Sequence, residues 1–124
     1  MARILVVDDD PDIQEVCKLV LEMEGHDVRG ATSRSEGMAA ALGEPPDLLM
    51  LDCMMEQDND GVDMARELRE QGFTRPILMM SGLSRAAAAA YGDGAEPLCV
   101  DDFQEKPIDP GALIEKVAGL LEGA

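Results

Sequence analysis

The chain has little positive charge and no long apolar run. Ten lysines and arginines stand against 26 aspartates and glutamates, which gives a formal net charge of −16 over 124 residues. A surface of this sign repels nucleic acid and anionic lipid, so we expect the protein to bind neither. No apolar run approaches the length that crosses a bilayer, and the first residues lead into an apolar strand rather than a leader pattern. We therefore expect a cytoplasmic protein without a membrane segment.

Cysteine is too sparse to build a covalent framework. The chain has three cysteines, Cys17, Cys53 and Cys99, and no CxxC pair. An odd count without paired spacing argues against a disulfide scaffold and against a zinc site. Cys17 falls among apolar residues at helical spacing, so we predict that it lies in the core.

What the chain does have is a regular alternation of short apolar runs and amphipathic segments. Hydrophobic residues make up 46% of the sequence, which is ample for one core in a single domain over residues 1–124. The order strand–helix occurs five times, without a repeat or a linker. Such alternation predicts a parallel sheet with helices on both faces. The fourth unit is unclear, because five successive alanines in residues 84–91 favour helix and residues 96–102 are extended or irregular.

Local signals predict where several helices begin and which sides they bury. A capping residue comes before a first-turn proline or three residues before a glutamate, in patterns typical of helix starts. The predicted caps are Asp10 before Pro11, Ser33 with Glu36, and Asp109 before Pro110. The predicted inward residues of the first helix are Ile13, Val16, Cys17 and Val20.

Polar side chains follow the apolar runs. The central run, Leu48–Leu51, stands between Asp47 and Asp52 and is typical of a strand buried on both faces. Because parallel strands end at one edge of a sheet, the residues after each run should lie close together. These are Asp52 after the central run, Asp8 and Asp9 after Ile4–Val7 (followed by Asp10, the predicted helix cap), Ser81 after Ile77–Met80, and Phe103 and Lys106 after a weaker run near Cys99–Val100. Three carboxylates, a hydroxyl and an ammonium at one edge suggest a divalent cation and a phosphoryl group.

These motifs, in this order, resemble the receiver domain of two-component response regulators. The matching stretches are VVDDD at Val6–Asp10, LLMLD at Leu48–Asp52, MSG at Met80–Gly82 and EKP at Glu105–Pro107. The resemblance covers the whole chain. We expect a stand-alone, chemotaxis-regulator-like member with no output domain attached, and a fragment cut from a longer regulator would look the same. It implies a flavodoxin-like, doubly wound sheet of five parallel strands in the order 2-1-3-4-5.

The resemblance also implies a role for each site residue. Asp52 would be the phosphoacceptor, and Asp9 and Asp52 would ligate Mg²⁺ directly. Asp8 would act through a metal-bound water. The remaining implied roles are the backbone carbonyl of Met54 as a metal ligand, Ser81 and Lys106 as partners of the phosphoryl group, and Ser81 with Phe103 as the switch pair.

Partners follow from the same resemblance. A phosphohistidine of a sensor histidine kinase or phosphotransfer protein would donate the phosphoryl group, and an unknown downstream protein would read the altered surface. Apolar Met54 and Leu83 would flank the path of water, which predicts slow self-dephosphorylation. Two features depart from the family pattern. They are one extra residue between Asp52 and Asp60, with Glu56 where proline is usual, and a longer span from Ser81 to Lys106.

Two alternatives stay open. A degenerate receiver would bind partners without phosphorylation, although the complete acidic, hydroxyl and ammonium set disfavours it. A hydrolase that forms an aspartyl phosphate, of the haloacid dehalogenase type, would need an aspartate two residues after the nucleophile, and this chain has Met54 there. Taken singly, the site residues have ordinary explanations, because aspartates cap helices, Ser-Gly is a common turn, and lysines and phenylalanines occur widely on surfaces and in cores.

Overall fold

The computed structural model describes residues 2–52, 60–81, 100–105 and 108–123. Within these ranges the chain forms five strands and four helices. The strands are β1 Arg3–Val7, β2 Asp27–Ala31, β3 Leu48–Asp52, β4 Ile77–Ser81 and β5 Asp102–Glu105. The helices are α1 Pro11–Met23, α2 Arg34–Gly43, α3 Asp60–Glu70 and α4 Pro110–Gly123. None of the helices in these ranges is long and apolar enough to cross a membrane.

The five strands form one parallel sheet in the order β2-β1-β3-β4-β5. The doubly wound, flavodoxin-like fold with strand order 2-1-3-4-5 is thereby confirmed. β3 is the central strand, and all five of its residues are buried. Its register places Leu51 opposite Val7 of β1, so Asp52 comes level with the residues that follow β1.

Alternate strand residues feed two separate cores, one on each face of the sheet, because successive side chains of a strand point to opposite faces. One core is completed by α2 and α3, and the other by α1 and α4. Cys17 is fully buried in the second core, as predicted. The strand members of the first core are Leu5, Val7, Ala31, Leu49, Leu51, Ile77 and Met79, and those of the second are Ile4, Val6, Val28, Leu48, Met50, Leu78 and Met80.

The predicted helix caps are confirmed. Asp10 accepts a hydrogen bond from the Asp12 N–H at 2.8 Å, and Pro11 is the first residue of α1. Ser33 accepts from the Glu36 N–H at 3.2 Å. The Glu36 carboxylate reaches back to the N–H of Thr32 at 2.8 Å, one residue further than in the usual reciprocal box. Asp109 accepts from the Gly111 N–H at 3.2 Å.

One prediction about a helix face is wrong. Val16 does not face the core, since 36% of it is exposed, whereas Leu21 is fully buried. The buried side of α1 therefore passes through Cys17 and Leu21, rotated away from the side chain of Val16. The weaker run near Cys99–Val100 was predicted to continue into Phe103, and Phe103 does lie in β5, which begins at Asp102 and pairs with β4.

Candidate functional site

Three carboxylates meet where β1 and β3 end. Carboxylate oxygens of Asp8, Asp9 and Asp52 all lie within 4.8 Å of one another. Asp52 ends β3, while Asp8 and Asp9 begin the connection from β1 to α1, so the parallel register of the two strands brings them together. Asp8 is fully buried, Asp52 is 4% exposed, and Asp9 is exposed. The structure thus assembles the acidic cluster that the sequence predicted.

Local hydrogen bonds hold the acidic connection in shape. Asp8 Oδ1 accepts from the Asp10 N–H at 2.9 Å, and the Asp8 N–H donates to the Ala31 carbonyl at 3.0 Å. Asp10 turns its own carboxylate toward α1 as the cap. The third aspartate of the DDD run therefore serves the helix, and the first two face Asp52.

The cluster has the composition of a site for a hard divalent cation. Burying two like-charged carboxylates side by side is unfavourable unless a cation or donors compensate them. Mg²⁺ takes oxygen ligands, needs only one or two carboxylates and keeps several waters. Asp9 supplies an exposed oxygen next to two buried carboxylates, which gives a cation both protein ligands and access to water. The residues present therefore fit a bound Mg²⁺.

The other predicted site residues are placed only in part. Ser81 is the last residue of β4, and it pairs with Glu105 in the sheet, but its side chain lies outside the described part of the structure. Phe103 is half-buried, pairs with Met79 and packs against the core on the α2 and α3 face. Met54, Leu83 and Lys106 lie outside the described residues. So do the extra residue after Asp52 and most of the lengthened span after Ser81.

Sequence reasoning missed Gln14. Its side-chain Nε2 donates to the carbonyl oxygens of Val6, Asp8 and Ala31, which belong to the ends of β1 and β2 and to the acidic connection. No motif marks this residue, because its partners are backbone carbonyls that become neighbours only in the folded sheet. The available signal was a polar residue one turn into α1, together with a glycine, Gly30, inside a short strand.

Fold and site together define a class: flavodoxin-like α/β proteins with an acidic cluster at the carboxyl edge of the sheet. The family model of the response regulator receiver domain matches residues 4–118 of the sequence. The chain belongs to that family. Receiver domains are the phosphoacceptor switches of two-component systems and are not in general enzymes; they interact with sensor kinases and downstream effectors.

Individual relatives agree with this assignment. The chain is 37% identical to the DNA-binding dual master transcriptional regulator RpaA of Synechocystis over 98% of its own length and 49% of that relative. The chain spans about half the length of the curated relatives it matches.

Solved structures match the whole fold. The receiver domain of the Francisella response regulator 1452 superposes with a TM-score of 0.86 at 26% identity, covering 98% of each chain. The response regulator TrrA of Thermotoga maritima, in complex with Mg²⁺ and BeF, superposes with a TM-score of 0.81 at 30% identity over 97% of this chain and 99% of that one.

Proposed function

We propose that this chain is a phosphoacceptor switch that takes a phosphoryl group from a phosphohistidine onto Asp52 with the help of Mg²⁺. The observation that carries the proposal is the acidic cluster, in which Asp8, Asp9 and Asp52 approach within 4.8 Å at the carboxyl edge of the sheet. The complex of the related TrrA with Mg²⁺ and BeF supports the choice of metal. Bound Mg²⁺ would neutralise negative charge on the phosphoryl oxygens and on the carboxylates around it.

The chain's own residues divide the work. Asp9 and Asp52, with the Met54 carbonyl, would hold the metal directly, and Asp8 would act through a metal-bound water. An Asp52 oxygen attacks phosphorus in line. As the new O–P bond forms, the P–N bond of the donor breaks, and the imidazole nitrogen that leaves takes up a proton from solvent.

Residues at the ends of the neighbouring strands would contact the phosphoryl group on Asp52. Ser81 donates a hydrogen bond to a phosphoryl oxygen, and Lys106 pairs with a carboxylate at rest and with the phosphoryl group afterwards. Phe103 is half-buried, and its ring would turn further inward when Ser81 moves. The altered surface then binds a downstream protein.

The family match and the net charge support proposals about the bounds of the domain, its partners and its location. We propose one receiver domain over residues 1–124, supported by a family match that spans residues 4–118. Its donor is a sensor histidine kinase or a phosphotransfer protein. The net charge of −16 makes direct contact with nucleic acid or an anionic membrane unfavourable. We propose that the protein works in the cytoplasm.

The direct test is intact mass after incubation with acetyl phosphate and Mg²⁺. Wild type should gain one phosphoryl mass, and Asp52→Asn should gain none. Asp47→Asn is the matched control, because it changes the aspartate at the other end of the same strand, and it should label like wild type. Labelling of Asp52→Asn to the wild-type extent would refute Asp52 as the acceptor. A wild type that binds Mg²⁺ but never labels would favour the phosphorylation-independent binding module.

The phosphoryl group should be long-lived. Hydrolysis needs a water in line with phosphorus, and the side chains of Met54 and Leu83, which the resemblance puts beside that path, cannot orient one. We expect decay slower by roughly ten- to a hundredfold than with polar side chains there, at or below the lower end of what one positioned acid or base contributes. Met54→Asn with Leu83→Glu should shorten the lifetime after the donor is removed. Unchanged decay in the double variant would exclude these two side chains as the gate.

A further inference from the structure

Gln14 joins α1 to the ends of two strands and to the acidic connection. Its Nε2 lies 3.0 Å from the Val6 carbonyl, 3.0 Å from the Asp8 carbonyl and 2.8 Å from the Ala31 carbonyl. One amide nitrogen has two protons for these three acceptors, so at least one proton is shared. A side chain held by three carbonyls of three different segments has little freedom to move.

The contact with Asp8 is the one that bears on the site. The Asp8 backbone is held on both sides, because its N–H donates to Ala31 and its carbonyl accepts from Gln14. The peptide bond is planar, so the Asp8 carbonyl and the Asp9 nitrogen share one plane. Holding the Asp8 carbonyl in place therefore orients the Asp8–Asp9 peptide plane. That plane sets the position of the backbone that carries the exposed Asp9 side chain.

Gly30 of β2 shows that the position of Gln14 is accommodated by its neighbours. A Cβ atom at Gly30 would lie 2.5 Å from Gln14 Oε1, closer than real Cβ contacts come. The far end of a glutamine could normally swing aside, but here the same amide is tied to three carbonyls. The missing side chain of Gly30 therefore gives the Gln14 amide the space it occupies.

We propose that Gln14 is a positioning residue of the metal site, which orients the Asp8–Asp9 peptide so that the Asp9 carboxylate stays beside Asp8 and Asp52, and that Gly30 is needed for it to do so. The inference rests on the proposed function, because it assumes that the cluster binds Mg²⁺. Gln14 itself contacts no ligand in this scheme and acts through the backbone of Asp8.

The test compares Gln14→Met with Cys17→Ala on the same helix. Gln14→Met keeps the side-chain length and removes the donor, whereas Cys17→Ala removes buried volume in the second core and keeps the Gln14 amide. Both should lower the unfolding midpoint, but only Gln14→Met should raise the Kd for Mg²⁺ of the folded protein, by about tenfold, the lower end of what outer-shell partners of metal ligands contribute. Calorimetric titration well below each midpoint separates the two effects. A wild-type Kd in Gln14→Met would overturn the proposal.

Gly30→Ala tests the same proposal by a second variant, which keeps the Gln14 side-chain amide. It should raise the Kd for Mg²⁺ in wild type and have no further effect in a Gln14→Ala background, where the added methyl group meets empty space. An equal rise in both backgrounds would overturn the link between the two residues.

The metal-free protein supplies a readout that does not depend on Mg²⁺. The amide resonance of Asp9 should shift in Gln14→Met and stay in place in Cys17→Ala. An unshifted Asp9 amide would refute the positioning role. A wild type that binds no Mg²⁺ while its Asp9 amide still responds to Gln14→Met would instead refute the proposed function of the cluster.

Discussion

Asp47 and Asp52 stand at the two ends of β3, and their surroundings are opposite. Asp47 Oδ2 accepts the backbone N–H of Arg3 at 2.8 Å, at the edge of the sheet where the strands begin. Asp52 lies at the other edge, within 4.8 Å of two further carboxylates. An aspartate therefore accepts a backbone hydrogen bond at one end of the strand and lies beside two further carboxylates at the other.

The contrast extends along both edges. Asp101, just before β5, accepts the N–H of Ile77 at 2.8 Å, as Asp47 accepts that of Arg3, and it also pairs with Arg69 at 3.1 Å. Each of these aspartates satisfies the first N–H of the neighbouring strand. The amino edge of the sheet, where the strands begin, is thus stabilised by hydrogen bonds and an ion pair within the chain. The carboxyl edge, where the strands end, carries clustered negative charge that a cation can neutralise. The two edges should respond differently to metal and to removal of charge.

The largest expected effect is the loss of a metal ligand at the carboxyl edge. Asp9→Ala should weaken Mg²⁺ binding by about a hundredfold or more, since outer-shell changes alone reach that order. Asp10→Asn is the matched control, because asparagine caps a helix about as well as aspartate does and leaves both site carboxylates in place. Calorimetric titration with Mg²⁺ checks the pair. A greater loss in Asp10→Asn would mean that the ligands are shifted by one residue.

At the amino edge, Asp101→Ala should lower the free energy of unfolding by about 2 kcal/mol, because it leaves the N–H of Ile77 without its acceptor and removes a partner of Arg69. Urea unfolding in metal-free buffer measures the change. Asp101→Asn keeps an acceptor oxygen and should lose less. The Kd for Mg²⁺ should stay at the wild-type value in both variants, and a weaker Kd would show that the edges are coupled.

Charge removal should act with opposite sign at the two edges. In metal-free buffer, Asp9→Asn should raise the free energy of unfolding by about 1 kcal/mol, because it removes one of three like charges a few ångströms apart. Asp47→Asn should lower it by about 1 kcal/mol, because a charge-assisted hydrogen bond becomes a neutral one. Chemical unfolding of both variants without metal is the measurement. The same sign in both would break the comparison.

The smallest expected effect is at Glu44, whose carboxylate pairs with Arg3 at 3.5 Å and with Arg29 at 3.1 Å. Its side chain is 65% exposed, so water already screens these pairs. Glu44→Gln should lower the free energy of unfolding by less than about 0.5 kcal/mol. Thermal unfolding in low and high salt would test this, and a loss as large as that of Asp101→Ala would mean that exposed pairs also hold the amino edge.

Features determined by neighbours in the chain could be predicted from sequence. The caps at Asp10, Ser33 and Asp109 depend on residues two or three positions away, and all three are confirmed. The central strand was visible because four apolar residues between two aspartates are typical of a buried parallel strand. The gathering of Asp8, Asp9 and Asp52 followed from the rule that parallel strands end at one edge.

Features determined by partners distant in the sequence could not be predicted from it. The sequence of β5, DFQE, has no apolar run, and the strand forms because β4 offers it a pairing edge. The apolar residues of α1 allow two inward faces, and packing against α4 and the sheet selects the one with Leu21 rather than Val16. Gln14 became recognisable only once three carbonyls converged on it.

The strand order has a consequence for the sequence of events during synthesis. β1 pairs with both β2 and β3, so residues 2–52 form a βαβαβ unit that carries all three site carboxylates. This half leaves the ribosome before residues 60–123, since the chain is made from its N-terminus. The step that seats β3 beside β1 is also the step that brings Asp52 against Asp8 and Asp9. We therefore expect millimolar Mg²⁺ to speed refolding of wild type by relieving that repulsion, and to leave refolding of Asp52→Asn nearly unchanged in a stopped-flow comparison.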